Sequence, residues 1–140
     1  MFAGVATPSM AQKPKPKGQV PQKLTFEFEG ETIEVAKWDL RKQMNWYGAL
    51  RACEVLGDGW RLPSIEELEA MYEQLHMEGK GSFKAAEAFW SSLYWSSSVN
   101  TETNAWGTSD AYIMNFNDGD VSYSMKDTSI LRVRAVRTLP

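Results

Sequence analysis

Gly59-Trp60-Arg61-Leu62-Pro63-Ser64-Ile65-Glu66-Glu67-Leu68 decides how this chain is built. Leu62 precedes a proline and is pushed out of the α region, so the chain must approach the next element in extended form. Ser64 and Glu67 then make an S-x-x-E capping box, and Ile65, Leu68, Met71, Tyr72 and Leu75 fall on one face of a helix that ends near Gly79. Upstream, Asn45 can cap an earlier helix whose apolar residues Trp46, Ala49, Leu50, Cys53 and Leu56 recur at helical spacing, with Gly57 as its stop. Two helices separated by a rigid break are therefore expected.

Outside the helices the apolar period changes to two. Leu24, Phe26 and Phe28 alternate with Thr25 and Glu27, and Ile33 to Ala36 can return after Glu29-Gly30-Glu31. Tyr94 to Ser98 reads as a short strand. Tyr112, Met114 and Phe116 alternate up to Asn117-Asp118-Gly119-Asp120, which has hairpin-turn chemistry, and Val121, Tyr123 and Met125 alternate on the way back. Ile130 to Arg137 is read as the last strand, returning beside the first, and Lys84 to Phe89 as a further helical turn. The expectation is an α+β domain over 24–140, with two helices packed on one side of an antiparallel sheet and its hairpins.

The N-terminal part differs in composition. Residues 12–23 are rich in Lys and Pro without apolar periodicity and read as a linker. Residues 1–11 are small and apolar, and Ser9-Met10-Ala11 has the small-x-small pattern of a signal-peptidase site, so this stretch is expected to be the remnant of a secretory signal. A secreted, periplasmic or cell-surface location follows from that expectation. No run of about 18 apolar residues exists, so no membrane span is expected.

Charge narrows the partners. Of 15 basic residues, Lys13, Lys15, Lys17 and Lys23 precede Leu24, leaving 11 against 18 acids and a net charge of −7 over the domain. Such a body repels phosphate backbones, and nucleic acid is excluded as a partner. The sequence holds no catalytic constellation. Cys53 is the only cysteine and lies on the apolar face of its helix, and His76, the only histidine, sits at a helix C-terminus where the macrodipole accounts for it. Ser91, Ser92 and Ser96 to Ser98 have no base, and neither a glycine-rich phosphate loop nor H-E-x-x-H occurs. Asn115, Asn117, Asp118 and Asp120 suggest a calcium loop. With Gly119 as its sixth residue, however, the first ligand would be Met114 and the twelfth Met125, so the EF-hand reading fails and a hairpin turn remains. No catalytic residue, metal or cofactor is expected.

Ala49 to Tyr72, with Cys53, Gly59 to Pro63 and Glu66 to Leu68, followed by Tyr94-Trp95-Ser96-Ser97 and the closing Arg134 to Arg137, resembles the Lcl C-terminal domain family, a bacterial domain of unknown function. The resemblance covers roughly 35–137. It implies a C-type-lectin-like fold, and the family's named member is a surface adhesin that binds sulfated glycans. That ligand does not transfer to a body of charge −7. The E-P-N, Q-P-D and W-N-D motifs of calcium-dependent lectins are absent. Formylglycine-generating enzymes share the broad fold but use a cysteine pair, which one cysteine cannot supply.

Within that frame Trp60, Arg61, Pro63, Trp95, Arg134 and Arg137 are expected to be structural. Trp60 is placed at the end of the two-helix layer, where an indole buries on the order of 200 Å². The arginines are expected to hold backbone carbonyls or carboxylates, with Glu66, Glu67 and Asp39 as available partners. The expected function is a non-enzymatic extracytoplasmic binding or adhesion module for a glycan or protein. Its ligand surface is placed on an aperiodic loop, Val99 to Asp110, joined by the 117–120 hairpin tip: Trp106, Asn104, Asn100 and Asp118 are the candidate contacts. For Trp106, packing inside the core is the competing expectation. Two other functions are carried: a variable receptor-type binding protein of a diversity-generating system, and a hydrolase or transferase with an unrecognised site.

Overall fold

The computed structural model describes residues 22–85 and 89–140. The signal remnant expected over 1–11, most of the linker expected over 12–23, and part of the helical turn expected at Lys84 to Phe89 lie outside the described residues. The elements, in chain order, are strands β1 (Thr25–Phe28) and β2 (Glu31–Val35), helices α1 (Trp46–Val55) and α2 (Ile65–Gln74), and strands β3 (Leu93–Thr103), β4 (Ser109–Asn115), β5 (Val121–Ser124) and β6 (Val136–Thr138). Single 3₁₀ turns occupy His76–Glu78 and Phe89–Ser92.

Both helices start as their caps dictate. The Asn45 side chain accepts a hydrogen bond from Gly48 N, and Ser64 and Glu67 form the reciprocal capping box, with Glu67 N donating to Ser64 Oγ at 3.0 Å and Ser64 N donating to Glu67 Oε1 at 2.8 Å. Gly57 and Gly79 follow the helical segments with φ of 73° and 75°, left-handed values that cost glycine little.

The strands form two antiparallel sheets of three rather than the single sheet expected, ordered β1-β2-β6 and β3-β4-β5. The reason lies in the segment read as one long strand, Ile130 to Arg137. Leu131 bonds Met44, Arg132 bonds Leu93 and Trp95, the carbonyls of Val133 and Ala135 accept from Leu40 and Ala36, and Val136 exchanges both backbone bonds with Arg61. The segment changes partner every residue or two, so only Val136–Thr138 remains in a ladder, and it pairs with β2 instead of the first strand. It is the seam between the sheets. The outer edge of β1 is closed by a side chain: Gln74 Nε2 donates to Glu27 O at 2.8 Å and Gln74 Oε1 accepts from Glu27 N at 3.1 Å, as a neighbouring strand would.

Two apolar clusters lie on either side of this seam. One gathers Phe26, Ile33, Leu68, Met71, Tyr94 and Phe116 beneath α2; the other gathers Ala49, Cys53, Leu62, Trp95, Ile113 and Val133 beneath α1. Cys53 faces inward as its spacing predicts. Leu56, assigned to the same face, does not: it caps the end of α1 and is exposed.

Candidate binding surfaces

The residues expected to be structural converge on the seam. Arg134, fully buried, donates from Nε to Asp39 Oδ1 at 2.7 Å and from its other nitrogens to the carbonyls of Ala36, Gly81 and Ser82. The Tyr94 hydroxyl donates to Asp39 Oδ2 at 2.7 Å, and burial, together with the Asp39 charge, pushes its ionisation well above the usual tyrosine range. Arg61 grips Glu67 with both terminal nitrogens, at 2.7 and 2.8 Å. Burial alone would raise the Glu67 carboxyl; the Arg61 pair and the Ser64 N–H outweigh it and hold the group below the usual carboxylate range. Arg137 bonds Glu34 at 2.8 Å and lays its guanidinium 4.6 Å from the centre of the Trp60 ring. The three arginines thus hold carboxylates and carbonyls, Glu67 and Asp39 among them.

The remaining groups with chemical potential are also occupied. Cys53 is buried, and desolvation pushes its thiol up to about 11, which keeps it protonated and unreactive near neutrality. His76 is packed edge-on against Phe83 and Phe116 and tilted against Tyr72. Ser96 Oγ donates to Tyr112 O at 2.7 Å, Ser98 Oγ accepts from Ile65 N, and the buried Trp95 donates to Met44 O at 2.8 Å. Every buried side-chain polar atom of the described residues has a partner. Among those residues no group of three or more His, Cys, Asp or Glu could hold a metal ion.

Two surfaces offer contact to something else. The first is a finger. The stretch read as an aperiodic loop, Val99 to Asp110, is instead the outer half of a β-hairpin: β3 runs on to Thr103, Val99 pairs with Ala111 and Thr103 with Ser109, across two irregularities in register. Those irregularities spoil the alternation, which is why the sequence shows no period there. The turn itself is 104–108, and Asn104 organises it. Its Oδ1 accepts from Trp106 N, Thr108 N and the Thr108 hydroxyl, and its Nδ2 donates to Asp110 at 2.9 Å. Trp106 is held at the tip, 75% exposed, so the competing expectation of a core tryptophan is overturned. Asn100 lies along the finger, bonded to Glu102 N. Asp118 is not part of this surface. It belongs to the turn at the opposite end of β4, capping Asp120 N, and a seven-residue strand puts the two tips roughly 20 Å apart. That far turn rests on α2, where Gly119 approaches the Tyr72 ring so closely that a Cβ would come within 2.9 Å of it.

The second surface is a groove of about 800 Å³ between the start of β1, the end of β2, the end of α1 and Lys80 to Ser82. Leu24, Val35, Leu56, Trp38 and Trp60 supply its apolar wall. Trp60 is half-buried: it packs against the cluster beneath α1, one of its faces is covered by Arg137, and it also lines this concavity. Trp38 is 62% exposed and carries no signal in the sequence, because it stands in an aperiodic stretch between Lys37 and Asp39.

The sequence profile of the Lcl C-terminal domain matches residues 22–137. The chain belongs to the Lcl C-terminal domain family. Among solved structures it is similar to a chain of the complex between a mutant von Willebrand factor A1 domain and botrocetin, with a TM-score of 0.51 and 11% identity, covering 86% of this chain and 100% of that one. It is also similar to EMS16, an antagonist of the collagen receptor integrin α2β1, with a TM-score of 0.47 and 14% identity over 82% and 97% of the two chains. No curated protein matches. The fold is C-type-lectin-like, α+β with two helices and two antiparallel sheets. In this Lcl C-terminal domain the landmark residues Trp60 to Pro63, Tyr94 to Ser97 and Arg134 to Arg137 bond to one another: besides the Arg61 and Val136 exchange, Ser97 N donates to Pro63 O at 2.7 Å. They hold the seam closed, and of these landmarks Trp60 alone also lines the groove.

Proposed function

We propose that this Lcl C-terminal domain is a non-enzymatic, extracytoplasmic binding or adhesion module that meets a glycan or protein ligand with Trp106 at the tip of the β3–β4 finger. The observation that carries this reading is the combination of a 75% exposed indole with a turn fixed by four hydrogen bonds to one Asn104 side chain. An exposed tryptophan on a pre-ordered turn offers a large apolar face with little entropy left to lose on binding. Asn100, further along the finger, supplies a polar contact beside it. The arginines, Cys53 and His76 that would attract an enzymatic reading are held in the fold by their carboxylate, carbonyl and aromatic contacts. The solved structure of similar fold with botrocetin is itself a protein complex, which makes proteins a sensible half of any screen. Extracytoplasmic placement rests on Ser9-Met10-Ala11 as a cleavage pattern.

The test is a glycan and protein array probed with the chain and with Trp106→Ala in parallel. Ligands that the parent retains and the variant loses, with unchanged thermal midpoints, support the finger. Ligands that both retain equally would move the site elsewhere.

A further inference from the structure

The groove beside Trp38 and Trp60 has a composition at odds with the rest of the body. Lys23, Lys37 and Lys80 line it against a single carboxylate, Glu34, although residues 24–140 carry a net charge of −7. Glu34 is already occupied, bonded to Arg137 at 2.8 Å with Lys23 3.9 Å away. The ammonium groups of Lys37 and Lys80 have no carboxylate within salt-bridge range among the described residues, and Lys37 lies 5.8 Å from the Trp38 ring centre. A local excess of positive charge on an acidic body selects an acidic partner by attraction and repels that partner from the remaining surface.

The wall indicates what carries the acid. Leu24, Val35 and Leu56 are aliphatic, and the two indoles extend that apolar surface. Neighbouring saccharide hydroxyls are best met by side chains that accept as well as donate; besides the donor-only lysines, the groove offers Gln22, the already bonded Glu34 and the Ser82 hydroxyl. About 800 Å³ falls within the range of sites that enclose a compact apolar group steered by a few charges. We infer that this groove is a docking site for a protein partner, an acidic peptide segment that lodges a large apolar side chain between Trp38 and Trp60 while its carboxylates meet Lys37 and Lys80. It is a second contact surface, separate from the Trp106 finger and independent of it.

The probe is a blocked hexapeptide alternating glutamate with leucine and phenylalanine, titrated into the full chain by calorimetry and tryptophan fluorescence. Three controls accompany it: the same peptide with lysine for glutamate, the same with alanine for its apolar residues, and a sulfated hexasaccharide. Saturable binding of the parent peptide is expected, weakening with added salt. Trp38→Ala should weaken it about tenfold or more, as should Lys37→Glu combined with Lys80→Glu. All these positions are exposed, so the variants should keep the parent's thermal midpoint. Trp106→Ala should bind the peptide as the parent does, which separates this site from the finger. Absence of saturable binding, equal binding of the lysine peptide, or indifference to both sets of substitutions overturns the inference. So does a hexasaccharide that binds in a Trp38-dependent manner where the acidic peptide does not.

Discussion

At the seam, Arg134 points its guanidinium at a carboxylate and three carbonyls and is wholly enclosed; at the finger, Asn104 makes four side-chain hydrogen bonds and leaves Trp106 in solvent. Both regions are densely bonded, so density of bonding does not mark a functional site. What differs is where the bonds lead. Those of the seam tie together segments far apart in the chain, Ala36 with Gly81 and Arg134, or Arg61 with Val136, and the fold depends on them. Those of the finger stay within a few residues, and their loss leaves both apolar clusters intact. The two regions should therefore respond in opposite ways to substitution.

The largest effect is expected for Arg134→Ala. Removing the fully buried guanidinium takes from Asp39 its closest cation, leaving it the Tyr94 hydroxyl and the more distant Arg132, and takes a donor from the carbonyls of Ala36, Gly81 and Ser82; breaking a buried pair in this way costs about 3–5 kcal/mol. Urea unfolding should show the midpoint falling while the slope is unchanged. A loss below about 1 kcal/mol would place this residue with surface ion pairs and dissolve the contrast with the finger.

Glu67→Gln comes next, at about 1–3 kcal/mol, because Arg61 and Ser64 N lose a charged acceptor. The pH dependence follows from its lowered ionisation. The carboxylate stabilises the fold above the unfolded-chain value of about 4.3 and loses that contribution as pH falls through the lower folded value. The stability gap between parent and variant should thus be steady at neutral pH and close in acid; a gap that persists at the lowest pH would show that shape, not charge, is what Glu67 provides.

Cys53 tests the packing under α1. A thiol reagent should leave the native protein unlabelled and react fully once denaturant is added, since the group is buried and its ionisation is pushed up to about 11. The sign is opposite to that of Glu67. Burial of the neutral thiol favours the fold at neutral pH, and that contribution is lost as pH rises from the unfolded value of about 8.5 through the folded one. Cys53→Ser should cost about 1–3 kcal/mol, and rapid labelling of native protein would contradict the burial.

The helices are legible in the sequence because caps and apolar spacing act locally: Asn45, Ser64 and Glu67 need no distant partner to announce themselves. The arginines can be assigned a structural role but not paired, since Arg134 and Asp39 are 95 residues apart and nothing local links them. The segment over 130–137 imitates a single strand because its alternating apolar residues serve two clusters and several partners in turn. The finger does not read as a strand because its register slips twice, and the groove is hidden because Leu24, Trp38, Trp60 and Lys80 come from separate segments that only the fold brings together. Of the four candidate contacts, Trp106, Asn104 and Asn100 share one finger, while Asp118 is a turn residue on the far side of β4.

The smallest stability effect is expected where the effect on binding is expected to be greatest. Trp106 contributes little to either apolar cluster, so Trp106→Ala should move the unfolding free energy by no more than about 0.5 kcal/mol. Asn104→Ala distinguishes presentation from contact. It removes the acceptor for Trp106 N and both Thr108 donors while leaving the indole in place, so global stability should fall by only about 1 kcal/mol. Amide hydrogen exchange should accelerate at Trp106 and Thr108 and stay slow at the seam residues Arg61 and Val136. If a ligand found for the finger is bound more weakly by both variants, Trp106 makes the contact and Asn104 holds it ready. Should Asn104→Ala bind as the parent does, the turn's rigidity is irrelevant to recognition, and the reading of the finger reduces to an exposed indole alone.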